Sequence, residues 1–179
     1  MAQLGFYYDQ TTCIGCKGCQ IACKDQNNLD IGVLFRRVYD VETGKYPNPR
    51  RLHLSLGCNH CAEPKCVANC PTGALYKRDE DGIVAHDEEK CIGCRLCTWS
   101  CPYGAPQYIE KTGKVGKCDL CVKLLEKGEQ PACVTSCVMR CLDVGEIEEL
   151  RQKYGDNADA MTMPSSNITQ PNIVITPKK

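Results

Sequence analysis

The sequence predicts an α+β fold of two small tandem units, one nested inside the other, with short helices and β-hairpins wrapped around metal clusters. Two observations predict it. Sixteen of the 17 cysteines fall into four groups, which start at Cys13, Cys58, Cys91 and Cys118. The 179 residues also include only two phenylalanines and one tryptophan, little aromatic material for an interior. Bound metal can take over that role, because ligand-binding free energy becomes folding free energy.

The third group carries the strongest signal: Cys91-Ile92-Gly93-Cys94-Arg95-Leu96-Cys97-Thr98-Trp99-Ser100-Cys101-Pro102. Three cysteines at intervals of three, a fourth four residues on and then a proline make the bacterial ferredoxin spacing for a 4Fe–4S cluster. Three thiolates converge from one tight loop. The fourth cysteine points away and serves a second cluster. Gly93 lets the loop backbone approach the inorganic sulfides, and Pro102 ends the helix.

The elements follow in order. Residues 4–8 read as a strand feeding Cys13-Ile14-Gly15-Cys16-Lys17-Gly18-Cys19-Gln20-Ile21-Ala22-Cys23, with a helix from Lys17 to Gln26. Val33 to Val41 reads as a strand rich in Val, Phe and Tyr. After a turn around Thr43–Pro49, Leu52, Leu54 and Leu56 alternate with His53 and Ser55, the period of a half-buried strand. The two strands make an inserted hairpin. The second group, Cys58-x2-Cys61-x4-Cys66-x3-Cys70-Pro71, widens the middle gap by two residues and leads into a hairpin over Asp81-Gly82. After the third group, strands at Gln107–Glu110 and towards Lys117 flank a turn at Thr112-Gly113. The fourth group, Cys118-x2-Cys121-x11-Cys133-x3-Cys137, holds a helical stretch from Leu120 to Lys127, broken by Gly128 and Pro131. Leu142–Val144 should be a strand, and Ile147, Leu150 and Tyr154 line one helix face. Beyond Gly155 only Ile173-Val174-Ile175 looks extended, in a tail expected to lie on a surface, the protein's own or a partner's.

Composition excludes several classes. Lysine plus arginine equal aspartate plus glutamate at 22 each, so no global field favours nucleic acid or anionic lipid. No apolar run approaches the roughly 20 residues of a membrane span, and no signal peptide is visible. The protein is therefore expected in the cytoplasm, reaching a membrane or being exported only through a partner. No nucleophile–base pair, phosphate-binding glycine loop or nicotinamide fingerprint appears.

The repeats divide the sequence into an outer unit (residues 1–32 plus 110–154), an inserted hairpin and inner unit (33–109) and an extended tail (155–179). Groups two and three are adjacent, so they exchange fourth cysteines. Cys58, Cys61 and Cys66 take Cys101, while Cys91, Cys94 and Cys97 take Cys70. Groups one and four then pair across the intervening sequence. Cys13, Cys16 and Cys19 take Cys137, while Cys118, Cys121 and Cys133 take Cys23. The result is four 4Fe–4S clusters, with Cys141 left over as a buried thiol. The rival reading is a structural zinc-binding interaction module, since paired C-x-x-C also builds four-cysteine zinc sites. Such sites join two separated pairs and do not need the three-cysteine run. His60, between Cys58 and Cys61, is either a plain loop histidine or a hydrogen-bonding partner that tunes a potential.

The order and spacing of the four groups, the hairpin between the first two and the wide fourth group resemble the iron–sulfur subunit of dimethyl-sulfoxide-reductase-type molybdopterin oxidoreductases. The resemblance spans residues 3–145 and extends to the tail motif Asn167-Ile168-Thr169-Gln170-Pro171-Asn172-Ile173. It implies an electron-transfer subunit, non-catalytic by itself, set between a large catalytic subunit, with a molybdenum or tungsten bis-pterin cofactor, and a quinol-linked membrane anchor or soluble redox partner. It also implies a cluster order: the Cys13 cluster nearest the catalytic subunit, then the Cys118, Cys58 and Cys91 clusters. Lys24 and Val138 follow Cys23 and Cys137 where the other two groups have proline. An alternative reading is a polyferredoxin subunit of a hydrogenase or formate-oxidising complex.

Overall fold

A computed structural model describes residues 2–178. Its centre is a three-stranded sheet that gathers distant parts of the sequence. β1 (Leu4–Asp9) lies between β8 (Leu142–Glu146), antiparallel to it, and β9 (Ile173–Thr176), parallel to it. Successive β1 side chains face opposite sides. Phe6 and Tyr8 enter the main core, while Tyr7 turns to a smaller cluster with Ile147, Leu150 and Val174. Helix α6 (Ile147–Tyr154) supplies Ile147 and Leu150 one turn apart. Its last residue, Tyr154, stacks on Tyr7 with ring centroids 3.6 Å apart.

Three hairpins complete the β structure. β2 (Arg37–Thr43) pairs with β3 (Arg50–Leu56), β4 (Leu75–Lys77) with β5 (Val84–His86), and β6 (Gln107–Ile109) with β7 (Lys114–Gly116). The long hairpin is tied to the sheet where Tyr8 Oη and Gln10 Nε2 donate to the His53 carbonyl at 2.6 and 3.0 Å. Short helices carry the cysteines. They are α1 (Gly18–Gln26), α2 (Lys65–Ala68), α3 (Leu96–Ser100), α4 (Val122–Leu125) and α5 (Ala132–Thr135). α1 packs on α5, and α2 on α3. Seven of the 20 buried residues in the main core are cysteines, so this core and the thiol sites share one interior.

The structure departs from the sequence reading in three places. The strand expected over 33–41 begins only at Arg37. Val33 and Phe35 are buried, but the Leu34 backbone bonds the Gln107 side-chain amide, accepting at 2.5 Å and donating at 3.0 Å, instead of joining a ladder. The helix expected over 120–127 shrinks to α4, because Leu120 (φ 61°) and Cys121 (φ 53°) are left-handed, and α5 follows Pro131. Ile173, Val174 and Ile175 do not lie on a surface. They are at most 3% exposed, inside the sheet.

Candidate metal centres

The first and third groups share one backbone course. Positive φ occurs at Gly15 (69°) and Lys17 (62°), either side of Cys16, and at Gly93 (69°) and Arg95 (64°), either side of Cys94. Alternation of right- and left-handed residues turns successive N–H groups into one concavity, a geometry that suits an anion. Helices α1 and α3 start directly after these turns. Neither glycine has room for a side chain. A Cβ on Gly93 would lie 2.1 Å from the Gly113 carbonyl oxygen, and one on Gly15 would lie 2.3 Å from His53 Nδ1.

Each loop roofs a cavity. Cys91, Cys94 and Cys97 line one together with Cys70 from the second group. Cys13, Cys16 and Cys19 line another, together with Cys137, which ends the fourth group, and Cys141 just beyond it. Cys16 and Cys94 are the exposed thiols of the molecule. The remaining cysteines form two largely buried sets. Burial pushes the Cys66 thiol up to about 12, and neighbouring Cys58, Cys101 and Cys61 push the same way. Burial likewise takes Cys23 up to about 12, with Arg36 opposing and Cys133 and Cys121 adding. Cys118, fully buried, is held well above its ordinary value by burial and by Cys23, Cys58 and Cys133, so it stands where the two sets meet.

Cys141 lies at the cavity of the first cysteine group. Its Sγ is 3.3 Å from Cys137 Sγ. Hydrogen bonding to Cys13 keeps the Cys141 proton in place and holds the Cys13 thiol below its usual value. His60 is wholly buried. Burial and the nearby cations Lys117, Lys77 and Arg36 keep it neutral. Its Nδ1 accepts from Val84 N–H at 3.1 Å, which leaves the proton on Nε2, where no protein acceptor meets it. The Asn59 side chain beside it is buried with both polar atoms unpartnered. Buried orphan donors next to a thiol set fit a group that presents sulfur acceptors. Among the described residues no three His, Cys, Asp or Glu side chains are placed to hold a single metal ion. The thiols are spread around larger spaces, and soft thiolate donors suit iron–sulfur clusters.

Residues 50–147 match the family described as the 4Fe-4S dicluster domain. Over 183 aligned positions the sequence is 48% identical to an anaerobic dimethyl sulfoxide reductase chain of Escherichia coli strain K12. The alignment covers 98% of this protein and 89% of that relative. This protein belongs to the iron–sulfur electron-transfer subunits of the dimethyl-sulfoxide-reductase family. Similarity within the family extends to the corresponding anaerobic dimethyl sulfoxide reductase chain of Haemophilus influenzae, 45% identical over 100% of this protein and 91% of the relative. A sulfite dehydrogenase subunit of Allochromatium vinosum is 38% identical over 83% of this protein and 71% of its own length. As an iron–sulfur subunit the molecule has a ferredoxin-like domain of mixed α/β structure. Among the described residues no helix is long and apolar enough to cross a membrane.

The sequence reading missed Arg36, Ser55 and Lys117. Arg36 is 2% exposed, and its Nη1 donates to Ser55 Oγ at 3.2 Å, which lies 3.4 Å from Cys19 Sγ. Lys117, 5% exposed, donates from Nζ to the Cys118 carbonyl at 2.6 Å and to the Val84 carbonyl. The arginine's only sequence signal is a charge in an otherwise apolar stretch, Val33-Leu34-Phe35-Arg36.

Proposed function

We propose that this protein holds four 4Fe–4S clusters in two nested ferredoxin-like units and relays electrons along them. The partners would be a molybdenum- or tungsten-pterin catalytic subunit and either a quinol-linked membrane anchor or a soluble redox partner. The ligand sets are Cys13, Cys16, Cys19 and Cys137; Cys118, Cys121, Cys133 and Cys23; Cys58, Cys61, Cys66 and Cys101; and Cys91, Cys94, Cys97 and Cys70. The observation that carries this reading is the company kept by the fourth cysteines. Cys70 lines the cavity of the third group and Cys137 that of the first, while Cys101 lies among the thiols of the second group and Cys23 among those of the fourth. Each bound cluster supplies a one-electron couple, and the protein supplies insulation, spacing and charge.

The two exposed thiols favour two ends for the relay. Around Cys16 the exposed apolar residues are Ile14, Ile21, Val138 and Met139; around Cys94 they are Ile92, Leu96 and Trp99, the last 86% exposed. Apolar rims of this kind suit protein partners. In the family order the Cys16 end faces the catalytic subunit. The second reading, a subunit of a formate-oxidising complex, has support from a Wolinella succinogenes relative named formate dehydrogenase iron-sulfur subunit, 35% identical over 83% of this protein.

Anaerobically purified protein should contain about sixteen iron and sixteen acid-labile sulfide per molecule, four of each per cluster. A reproducible value near eight, or stoichiometric zinc, overturns the four-cluster reading. Pterin and metal analysis of the large subunit that co-purifies decides between the two complexes. For orientation, Cys94→Ser replaces sulfur with a harder ligand and should weaken one cluster. Turnover with the physiological partner at that end should then collapse, while turnover with a small dye that reaches the catalytic subunit survives. The reverse pattern would invert the relay.

A further inference from the structure

We infer that Arg36 is a fixed counter-charge set between the first two clusters of the relay, raising the reduction potential of both. The inference rests on the four-cluster reading above. Arg36 lies just before β2, with its guanidinium stacked over the Phe6 ring at 4.5 Å to the centroid. Nη1 reaches both the Ser55 hydroxyl (3.2 Å) and the Ser55 carbonyl (3.4 Å). The same hydroxyl touches Cys19 Sγ at 3.4 Å, so one serine connects the guanidinium to a proposed ligand of the first cluster. A Cβ added to Gly57, the residue before Cys58, would lie 3.5 Å from Arg36 Nη2. The cation therefore sits at the junction of the hairpin, the first group and the second group.

No carboxylate pairs with Arg36 among the described residues. A buried guanidinium stays charged, and a buried charge is normally paired. The ionisable side chains that act on it most strongly are cysteines: Cys133, Cys19, Cys118 and Cys23. One belongs to the first proposed ligand set and three to the second. A cluster takes only thiolates. The charge of Arg36 is therefore matched when the two clusters are in place.

The electrostatic sign follows directly. Reduction adds negative charge to a cluster, and a nearby cation favours the reduced form. Arg36 should hold both potentials up, while the Cys91 cluster, proposed in the other ferredoxin-like unit, should be untouched.

The test is a redox titration, followed by electron paramagnetic resonance, of the full-length, cluster-loaded protein in three forms: wild type, Arg36→Gln and Arg36→Lys. Glutamine keeps a hydrogen-bond donor for Ser55 and removes the charge; lysine keeps the charge. Iron and sulfide are counted first. Wild-type protein without sixteen irons overturns the four-cluster reading itself, before any variant is considered. With full iron, Arg36→Gln should raise the oxidised-to-reduced ratio of two clusters at least tenfold at fixed potential, about 59 mV for a one-electron couple. The cluster altered by Cys94→Ser should not move, and Arg36→Lys should titrate like wild type. A fully loaded Arg36→Gln protein with unshifted potentials overturns the inference. So does an Arg36→Lys protein shifted as far as Arg36→Gln, because the cause would then be packing and not charge.

Discussion

Gly15 and Gly93 have the same φ, and what each would strike separates their consequences. An alanine at either position adopts a left-handed conformation costing roughly 1–2 kcal/mol. At Gly93 the new methyl also meets the Gly113 carbonyl oxygen, part of the backbone turn between β6 and β7. At Gly15 it meets the His53 ring, a side chain held by Asp40 at 2.7 Å that can rotate away. Gly93→Ala should therefore cost more iron than Gly15→Ala, as read by iron per molecule after anaerobic purification. Adding His53→Ala should restore loading to Gly15→Ala and do nothing for Gly93→Ala. At this scale the sequence was only partly legible. Gly93 announces itself by its place between two cysteines. Arg36 and Ser55 do not, because they meet across 19 positions and neither belongs to a motif. Cys141 can be counted from the sequence, but its place beside Cys137 depends on the turn that Arg140 makes at φ 52°.

Among the elements, the hairpins were the legible part, since each is a pair of local strands with a glycine or proline turn between them. β9 was legible as an extended run but not as a buried strand, because its partner β1 lies far away in the sequence. Its contribution is large. Ile173, Val174 and Ile175 are each almost fully buried, and burying such a side chain is worth about 1.5–3 kcal/mol. The segment before it also straps the second cysteine group. Gln170 and Thr169 carbonyls accept from Ala62 and Glu63 N–H at 2.8 and 3.0 Å, and Asn172 Nδ2 donates to the His60 carbonyl at 2.7 Å. A truncated protein ending at Thr169 should thus lose a large share of the ordinary 5–15 kcal/mol or so of domain stability. Soluble yield and thermal melting measure this. A surface tail would leave both unchanged. The shortened α4 was illegible for another reason. Left-handed Leu120 and Cys121 are neither glycine nor asparagine, so no residue type signals the break.

In the molecule as a whole, the interior is divided between apolar side chains and thiols. A separate cluster beside the second and third cysteine groups buries Leu75, Val84 and Val115 with Cys66 and Cys97, and has Val67 and Tyr108 partly buried against it, too little apolar surface to hold a unit together. Removing iron should therefore unfold the protein instead of leaving an empty scaffold. Protein from iron-starved cells, or treated with a chelator under reducing conditions, should lose amide protection from β4 through β7 as well as around the first and fourth groups. A cooperative apo melt with retained protection would contradict this. The central sheet adds a matter of timing. β1 leaves the ribosome before its parallel neighbour β9 is made. Until β9 emerges, that side of β1 presents a row of unmet backbone donors and acceptors. That adhesive edge lasts at least as long as translation takes to reach β9, and slow codons between β8 and β9 would lengthen the interval in which two nascent copies can join in place of one closing on itself.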